Sequence, residues 1–198
     1  MHTVLRIDSS ARNADSVSRE LTSRLIDRLP GNTVVRTRDL SHGVPLLSES
    51  TLLAMWTPHE HRTPEQNEAL SIADEYITEL MDADVVVIGL PIYNFGPPAA
   101  LKAWADLVAR AGTTFQYGEA GPIGLVADKP VYIIVASGGV PIGSPMDLSS
   151  TWLATYLGFL GMTDIQIVEA GQLNVDPDGA LAVARQAVDD LDLEQAIA

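Results

Sequence analysis

Two stretches of the chain carry almost no polar residues: Val85 to Leu90, and Val131 to Ala136. Both are rich in β-branched residues, too short to span a membrane and without polar alternation, which predicts buried strands of a parallel sheet covered by helices on both faces. Thr3 to Asp8 predicts a first strand. Thr33 to Asp39 predicts a second, polar enough through Arg36 and Arg38 for a sheet edge. Asp164 to Ala170 alternates through Ile165, Gln166 and Ile167, as an edge strand does. Between the strands the period lengthens to that of a helix. Val17, Leu21, Leu25 and Leu29 recur every four residues up to Pro30-Gly31, and Thr63 with Gln66 forms a capping-box pattern opening a helix to about Met81. Leu101, Trp104, Leu107 and Val108 stripe a helix from about Pro98 to Ala111. Further helices are predicted from about Asp147 to Leu160 and from about Pro177 to Ile197. Two excursions break the alternation. Residues 41–64 hold a short helix within a long connection, and residues 113–128 form a loop or hairpin.

Five strands thus alternate with helices over 1–198, with no internal repeat or linker, which predicts one α/β domain. Strands one, three and four are buried, and two and five are edges. That matches a three-layer, flavodoxin-like sandwich with a five-stranded parallel sheet in the order 2-1-3-4-5. With 198 residues, 46% of them hydrophobic, the chain can bury a full core. No segment approaches the roughly 20 apolar residues of a spanning helix. The start, Met-His-Thr-Val-Leu-Arg-Ile-Asp, reads as a strand rather than a signal peptide, and cysteine is absent. Together these point to the cytoplasm. A formal net charge of −14 argues against nucleic-acid or anionic-membrane partners.

Three strand ends carry candidate ligand loops. Ser9 to Ser18 runs into a helix amino terminus, where free N–H groups, the helix dipole and the hydroxyls of Ser10, Ser16 and Ser18 can cradle a phosphate. No Gly-x-x-x-x-Gly-Lys-Ser/Thr or Gly-x-Gly-x-x-Gly pattern is present, and helix capping by Asp15, Ser16 or Ser18 accounts for the same residues equally well. After the third strand, Pro91 ends the ladder and Ile92-Tyr93-Asn94-Phe95-Gly96 offers aromatics, an amide and a glycine for a flat heteroaromatic ring. After the fourth, Ser137-Gly138-Gly139 lets a backbone approach a ligand closely. Each loop alone is as well explained by packing or turn formation. In the order 2-1-3-4-5, however, all three open on the same side of the sheet at the switch point, outlining a site for flavin mononucleotide.

At these residues the chain resembles the FMN-dependent NADH-azoreductase (NADH:quinone oxidoreductase) family. The motifs are Pro91-Ile-Tyr-Asn-Phe95, Leu101-Lys-Ala-Trp104, Asp106-Leu-Val-Ala-Arg-Ala-Gly112, Phe115-Gln-Tyr117 with Gly121-Pro-Ile-Gly-Leu125, Gly138-Gly139, and Tyr156 through Asp164. They span essentially the whole chain. The resemblance implies FMN phosphate contacts at Ser10, Ser16, Val17 and Ser18. It implies ring and ribityl contacts at Ile92, Tyr93, Asn94 and Phe95, with further contacts at Ala136, Ser137, Gly138 and Gly139. It sets Tyr117 and Phe159 near the substrate, Phe159 from the second subunit of a homodimer with FMN near the interface. Some members carry Ser-Arg where this chain has Ala136-Ser137, and a histidine where it has Pro141, departures that bear on substrate preference.

The sequence offers no nucleophile, metal cluster or acid/base pair, as suits chemistry carried by a flavin. NADH or NADPH is then the donor, quinones and aromatic azo compounds are the acceptors, and exchange is ping-pong. Backbone N–H groups near Asn94 and Gly139 are expected at the flavin's N5, O4 and pyrimidine edge. His59 and His61 lack a third partner, and two histidines in a polar loop are ordinarily solvated. The competing readings are a flavodoxin-type electron carrier without small-molecule turnover, an interaction protein with an empty site, and a quinone reductase preferring NADPH or using FAD.

Overall fold

The computed structural model describes residues 2–193. The strands and helices run β1 (His2–Asp8), α1 (Val17–Asp27), β2 (Thr33–Asp39), α2 (Glu49–Trp56), α3 (Pro64–Asp82), β3 (Val85–Pro91), α4 (Ala99–Val108), β4 (Phe115–Gly118), β5 (Gly121–Gly124), β6 (Val131–Ala136), α5 (Leu148–Leu160), β7 (Ile165–Ala170) and α6 (Pro177–Asp189). Five strands form a parallel sheet in the order β2-β1-β3-β6-β7. This is the flavodoxin-like arrangement expected from the buried and edge character of the strands.

The reason β3 and β6 read as unbroken apolar runs is visible in their two faces. Val86, Ile88 and Leu90 join one core with Leu80, Trp104 and Leu157 from α3, α4 and α5. Val85 and Val87 join a second core with Leu21 and Leu25 of α1 and Ala184 and Val188 of α6. Every residue of β3 and β6 is buried, so neither strand has a face left for polar residues. Gly89 lets α1 settle directly on the sheet: a Cβ there would lie 3.3 Å from Thr22 Cγ2 and 3.6 Å from Ser18 Cβ.

Two element limits differ from expectation. The helix expected to reach Ala111 stops at Val108, because Ala109 turns to extended backbone and the Thr114 hydroxyl donates to Val108 O at 2.8 Å while accepting from Arg110 N at 2.9 Å. α6 ends at Asp189, and the expected extension to Ile197 falls partly outside the described residues. Residues 113–128 contain the antiparallel hairpin β4–β5, seated on α5 through Gly124: a Cβ there would meet Leu160 backbone atoms at 2.2 Å. The 41–64 excursion holds α2 between two single 3-10 turns, Leu40–His42 and His59–His61. Among the described residues no helix is long and apolar enough to cross a membrane.

Candidate functional site

The sheet's carboxyl end begins, on the β1 side, with Ser9, whose hydroxyl donates to Gly89 O at 2.6 Å and ties the loop to β3. Ser10, Ser16 and Ser18 follow, all buried. Ser16 is the N-cap residue of α1, in extended backbone, yet its side chain makes no capping bond. Among the described residues its hydroxyl meets only Ser18 Oγ, at 3.3 Å. Capping therefore does not occupy Ser16, and the first turn of α1 presents its amides to an outside acceptor. That is the arrangement a phosphate needs.

The loop is held from beneath by Arg19. Its Nη1 and Nη2 each donate to the Asp39 carboxylate at 2.7 Å, while Nη2 also donates to Ser10 O and Nε to Arg12 O, both at 2.9 Å. Asp8 lies below it, buried, 2.8 Å from Arg6 Nε and bonded by the Thr22 hydroxyl at 3.2 Å. The Arg19 hydrogen bonds hold the Asp39 carboxyl well below the ordinary carboxylate range. A depressed pKa stabilises the fold above the unfolded-state value and is lost only as pH falls through the folded-state value. The clamp is thus fully formed at neutral pH.

The loop after β3 is built differently. Tyr93 and Gly96 exchange backbone hydrogen bonds (Tyr93 N to Gly96 O, 3.0 Å; Gly96 N to Tyr93 O, 3.1 Å). The two residues between them have positive φ: Asn94 at 50° and Phe95 at 72°. Two successive positive φ angles define a type I′ turn, which favours asparagine at the first position and glycine at the second. Phenylalanine at the second position is strained backbone, a feature that concentrates at ligand clamps. Its ring is 47% exposed, and its carbonyl accepts from Leu148 N at 3.2 Å. Tyr93 turns its hydroxyl back to the first loop, 3.3 Å from Ser10 Oγ and accepting from Ala11 N at 3.2 Å. It latches the two loops together.

After β6, Ser137 N donates to Ala170 O at 2.9 Å, and Ser137 Oγ accepts from Val140 N at 2.8 Å. The three strand ends enclose a cavity of about 330 Å³, within the range of ligand pockets. Of the residues singled out in the sequence, Ser10, Ser16, Val17 and Ser18 line one end of it, and Ile92, Tyr93, Ala136, Ser137 and Gly138 line the remainder. Asn94, Phe95 and Gly139 are not on its wall; they stand on turns that continue from it. Tyr117 is 80% exposed on β4, and Phe159 packs its ring 4.6 Å from Phe115, so neither reaches the cavity within one chain. His59 and His61 are exposed.

Sequence reasoning missed a fourth wall. Leu173 and Asn174, after β7, and Pro177, Asp178 and Leu181, opening α6, close the cavity on its far side. Leu173 N donates to Ser137 O at 3.0 Å and Asn174 N to Gly138 O at 2.8 Å. A Cβ at Gly138 would lie 2.6 Å from Asn174 Nδ2, which explains the glycine by this packing. The signal available was that parallel strand five ends on the same side as the others. Arg12 was also missed, because it lies inside a loop read for its hydroxyls.

An uncapped helix terminus with three buried hydroxyls at one end, and aromatic and glycine-bearing turns at the other, fits a phosphate ester carrying a flat ring. A family model described as flavodoxin-like fold matches residues 2–192. The FMN-dependent NADH:quinone oxidoreductase 1 of Jannaschia sp. (strain CCS1) is 48% identical over 191 residues, covering 96% of this chain and 99% of that protein. The chain belongs to the FMN-dependent NADH:quinone oxidoreductase and azoreductase family. A second relative, the FMN-dependent NADH:quinone oxidoreductase of Erythrobacter litoralis (strain HTCC2594), is 50% identical over 170 residues, 85% of this chain and 86% of that one. Among solved structures, the FMN-dependent NADH-azoreductase from Bacillus anthracis str. Ames Ancestor in complex with FMN superposes with a TM-score of 0.88 at 27% identity, covering 99% of this chain and all of that one.

This member of the family exposes its large apolar side chains mainly beside the turn after β3 and on the two excursions. Phe95, Met146 and Leu148 are exposed beside the strained turn, Leu46, Leu53 and Trp56 on the 41–64 excursion, and Tyr117 and Ile123 on the hairpin.

Proposed function

We infer that this protein is an FMN-dependent NAD(P)H oxidoreductase acting on quinones and aromatic azo compounds. The observation that carries the reading is the convergence of three strand-end loops on one cavity, with the α1 terminus left uncapped where a phosphate would sit. Bound FMN supplies the hydride and electron transfer, from nicotinamide to acceptor. The chain's own residues bind and orient. Ser10, Ser16 and Ser18 with the first-turn amides at Val17 and Ser18 would hold the phosphate. Ile92, Tyr93 and Ala136 to Gly138 would flank the ribityl chain and ring, with Asn94, Phe95 and Gly139 on the turns beside the cavity. The ping-pong exchange read from the sequence would need no nucleophile from the chain, whose residues would bind and orient.

We further propose a homodimer. Large apolar side chains exposed beside a ligand site mark an interface more often than a free surface. Tyr117 and Phe159 lie away from the cavity of their own chain, so a second copy would bring an aromatic roof to it. The reading assigns the protein to the cytoplasm, where NAD(P)H is maintained.

The test is an absorbance spectrum of purified protein, followed by NADH and then benzoquinone or methyl red. A flavin spectrum that bleaches with NADH and returns with acceptor over many cycles is expected, with FMN released on denaturation. Protein that takes up no FMN would overturn the assignment; flavin that NADH fails to bleach would point instead to an electron carrier.

A further inference from the structure

The phosphate end of the cavity contains neutral donors in plenty and very little positive charge. Its hydroxyls and amides can hydrogen-bond a phosphate monoester, but such a group carries about −1.5 to −2 at pH 7. In a chain of net charge −14, a cation beside that cradle would add to what the helix terminus and the hydroxyls supply. Two guanidiniums lie close by. Arg19 is committed: its donors go to Asp39 and to the carbonyls of Ser10 and Arg12, and Asp8 lies 3.5 Å from its Nη1. Arg12 is not. Its side chain lines the cavity as the one cation on that wall, and it enters none of the ion pairs or side-chain donor bonds found among the described residues. Its backbone is fixed all the same, with Arg12 N donating to Ser10 Oγ at 3.2 Å and Arg12 O accepting from Arg19 Nε. The backbone that carries this exposed side chain is thus anchored beside the serine cradle, and its guanidinium donors are unspent among the described residues. The other charged side chain on the wall is Asp178, which a phosphate would avoid.

We propose that Arg12 is the counter-ion of the cofactor's phosphate, and that it sets the preference for a phosphorylated flavin over the bare riboflavin. This rests on the flavin reading of the site. A fork of N–H donors aimed at a dianion is a charge-assisted contact, stronger than the neutral bonds the serines make and sensitive to salt. Riboflavin, lacking the phosphate, gains nothing from it.

The experiment titrates apoprotein with FMN and with riboflavin, following flavin fluorescence, for wild type, Arg12→Gln and Arg12→Lys. For Arg12→Gln the FMN Kd is expected to rise about ten- to a hundredfold, as for loss of a charge-assisted bond. The riboflavin Kd should stay within about twofold, and Arg12→Lys should fall between, since lysine keeps the charge without the fork. Raising the salt should weaken FMN binding in wild type and much less in Arg12→Gln. Lowering the pH through about 6, where the phosphate takes up its second proton, should do the same. Equal weakening of FMN and riboflavin in Arg12→Gln would mean that Arg12 only holds the loop, and would overturn the proposal, as would an unchanged FMN Kd. Wild-type protein that binds neither ligand would instead fail the flavin reading, and the wild-type titration alone reveals that case.

Discussion

The two ends of the cavity are built to opposite standards. At the phosphate end, Ser10, Ser16 and Ser18 are buried and the loop that carries them is tied to four other segments: to β3 through Ser9, to the turn after β3 through Tyr93, to β2 through Arg19 and Asp39, and to the next turn through Ser41 and Asn13. At the ring end, Phe95 sits in strained backbone with its side chain half exposed, Gly139 stands in open space, and Tyr117 projects into solvent. One end is tied together within a single chain; the other is open, and in the proposed homodimer a second copy would complete it. Cofactor retention and substrate turnover should therefore depend on different residues, and substitutions can separate them.

The largest expected effect comes from breaking the finished end. Arg19→Met removes the bonds to Ser10 O and Arg12 O and leaves Asp39 and the buried Asp8 less compensated. A loss of about 2–3 kcal/mol is expected in urea unfolding, together with loss of FMN retention. A variant that unfolds as wild type and stays yellow would show that the clamp is ornamental. Gly124→Ala acts on the other end. With backbone atoms of Leu160 at 2.2 Å from the new carbon, the β4–β5 hairpin must lift off α5. About 1–3 kcal/mol of stability should be lost. Quinone turnover should fall while FMN affinity holds, so a parallel loss of both would erase the distinction. Phe95→Gly is the smallest. It relieves the φ of 72° at the cost of a more flexible unfolded chain, for a net gain of about 1 kcal/mol or less, read as a thermal midpoint higher by at most about 2–4 °C. Turnover should drop despite the gain. A variant both more stable and equally active would mean that the strained turn has no part in the reaction.

These contrasts also mark what was legible in the sequence. The apolar runs at Val85–Leu90 and Val131–Ala136 disclosed the central strands because both of their faces are covered, and the polar edges then gave the sheet order and put three loops on one side. The phosphate loop and the aromatic turn could be picked out from that alone. Whether Ser16 caps its helix could not, because capping and cradle use the same residue types; the missing cap bond distinguishes them. The Arg19 clamp reaches 20 residues to Asp39 and the Asn174 wall reaches back to Gly138, contacts that leave no periodic trace. Tyr93 lines the cavity as the sequence suggests, but the tie of its hydroxyl to Ser10 and Ala11 was not legible there. The early end of α4 at Val108 was hidden for a similar reason, since it depends on where the Thr114 hydroxyl points.

Dilution separates the two ends most directly. FMN retention and quinone turnover would be measured together, by flavin fluorescence and by NADH oxidation, as the protein is diluted through the range in which a homodimer dissociates, with sedimentation reporting the oligomer. Retention should persist in the monomer, because the phosphate end is complete in one chain, while turnover per subunit should fall with the dimer fraction, because the ring end is not. Loss of FMN and activity in step would mean that the phosphate end needs the second chain as well; full turnover in the monomer would mean that the ring end does not.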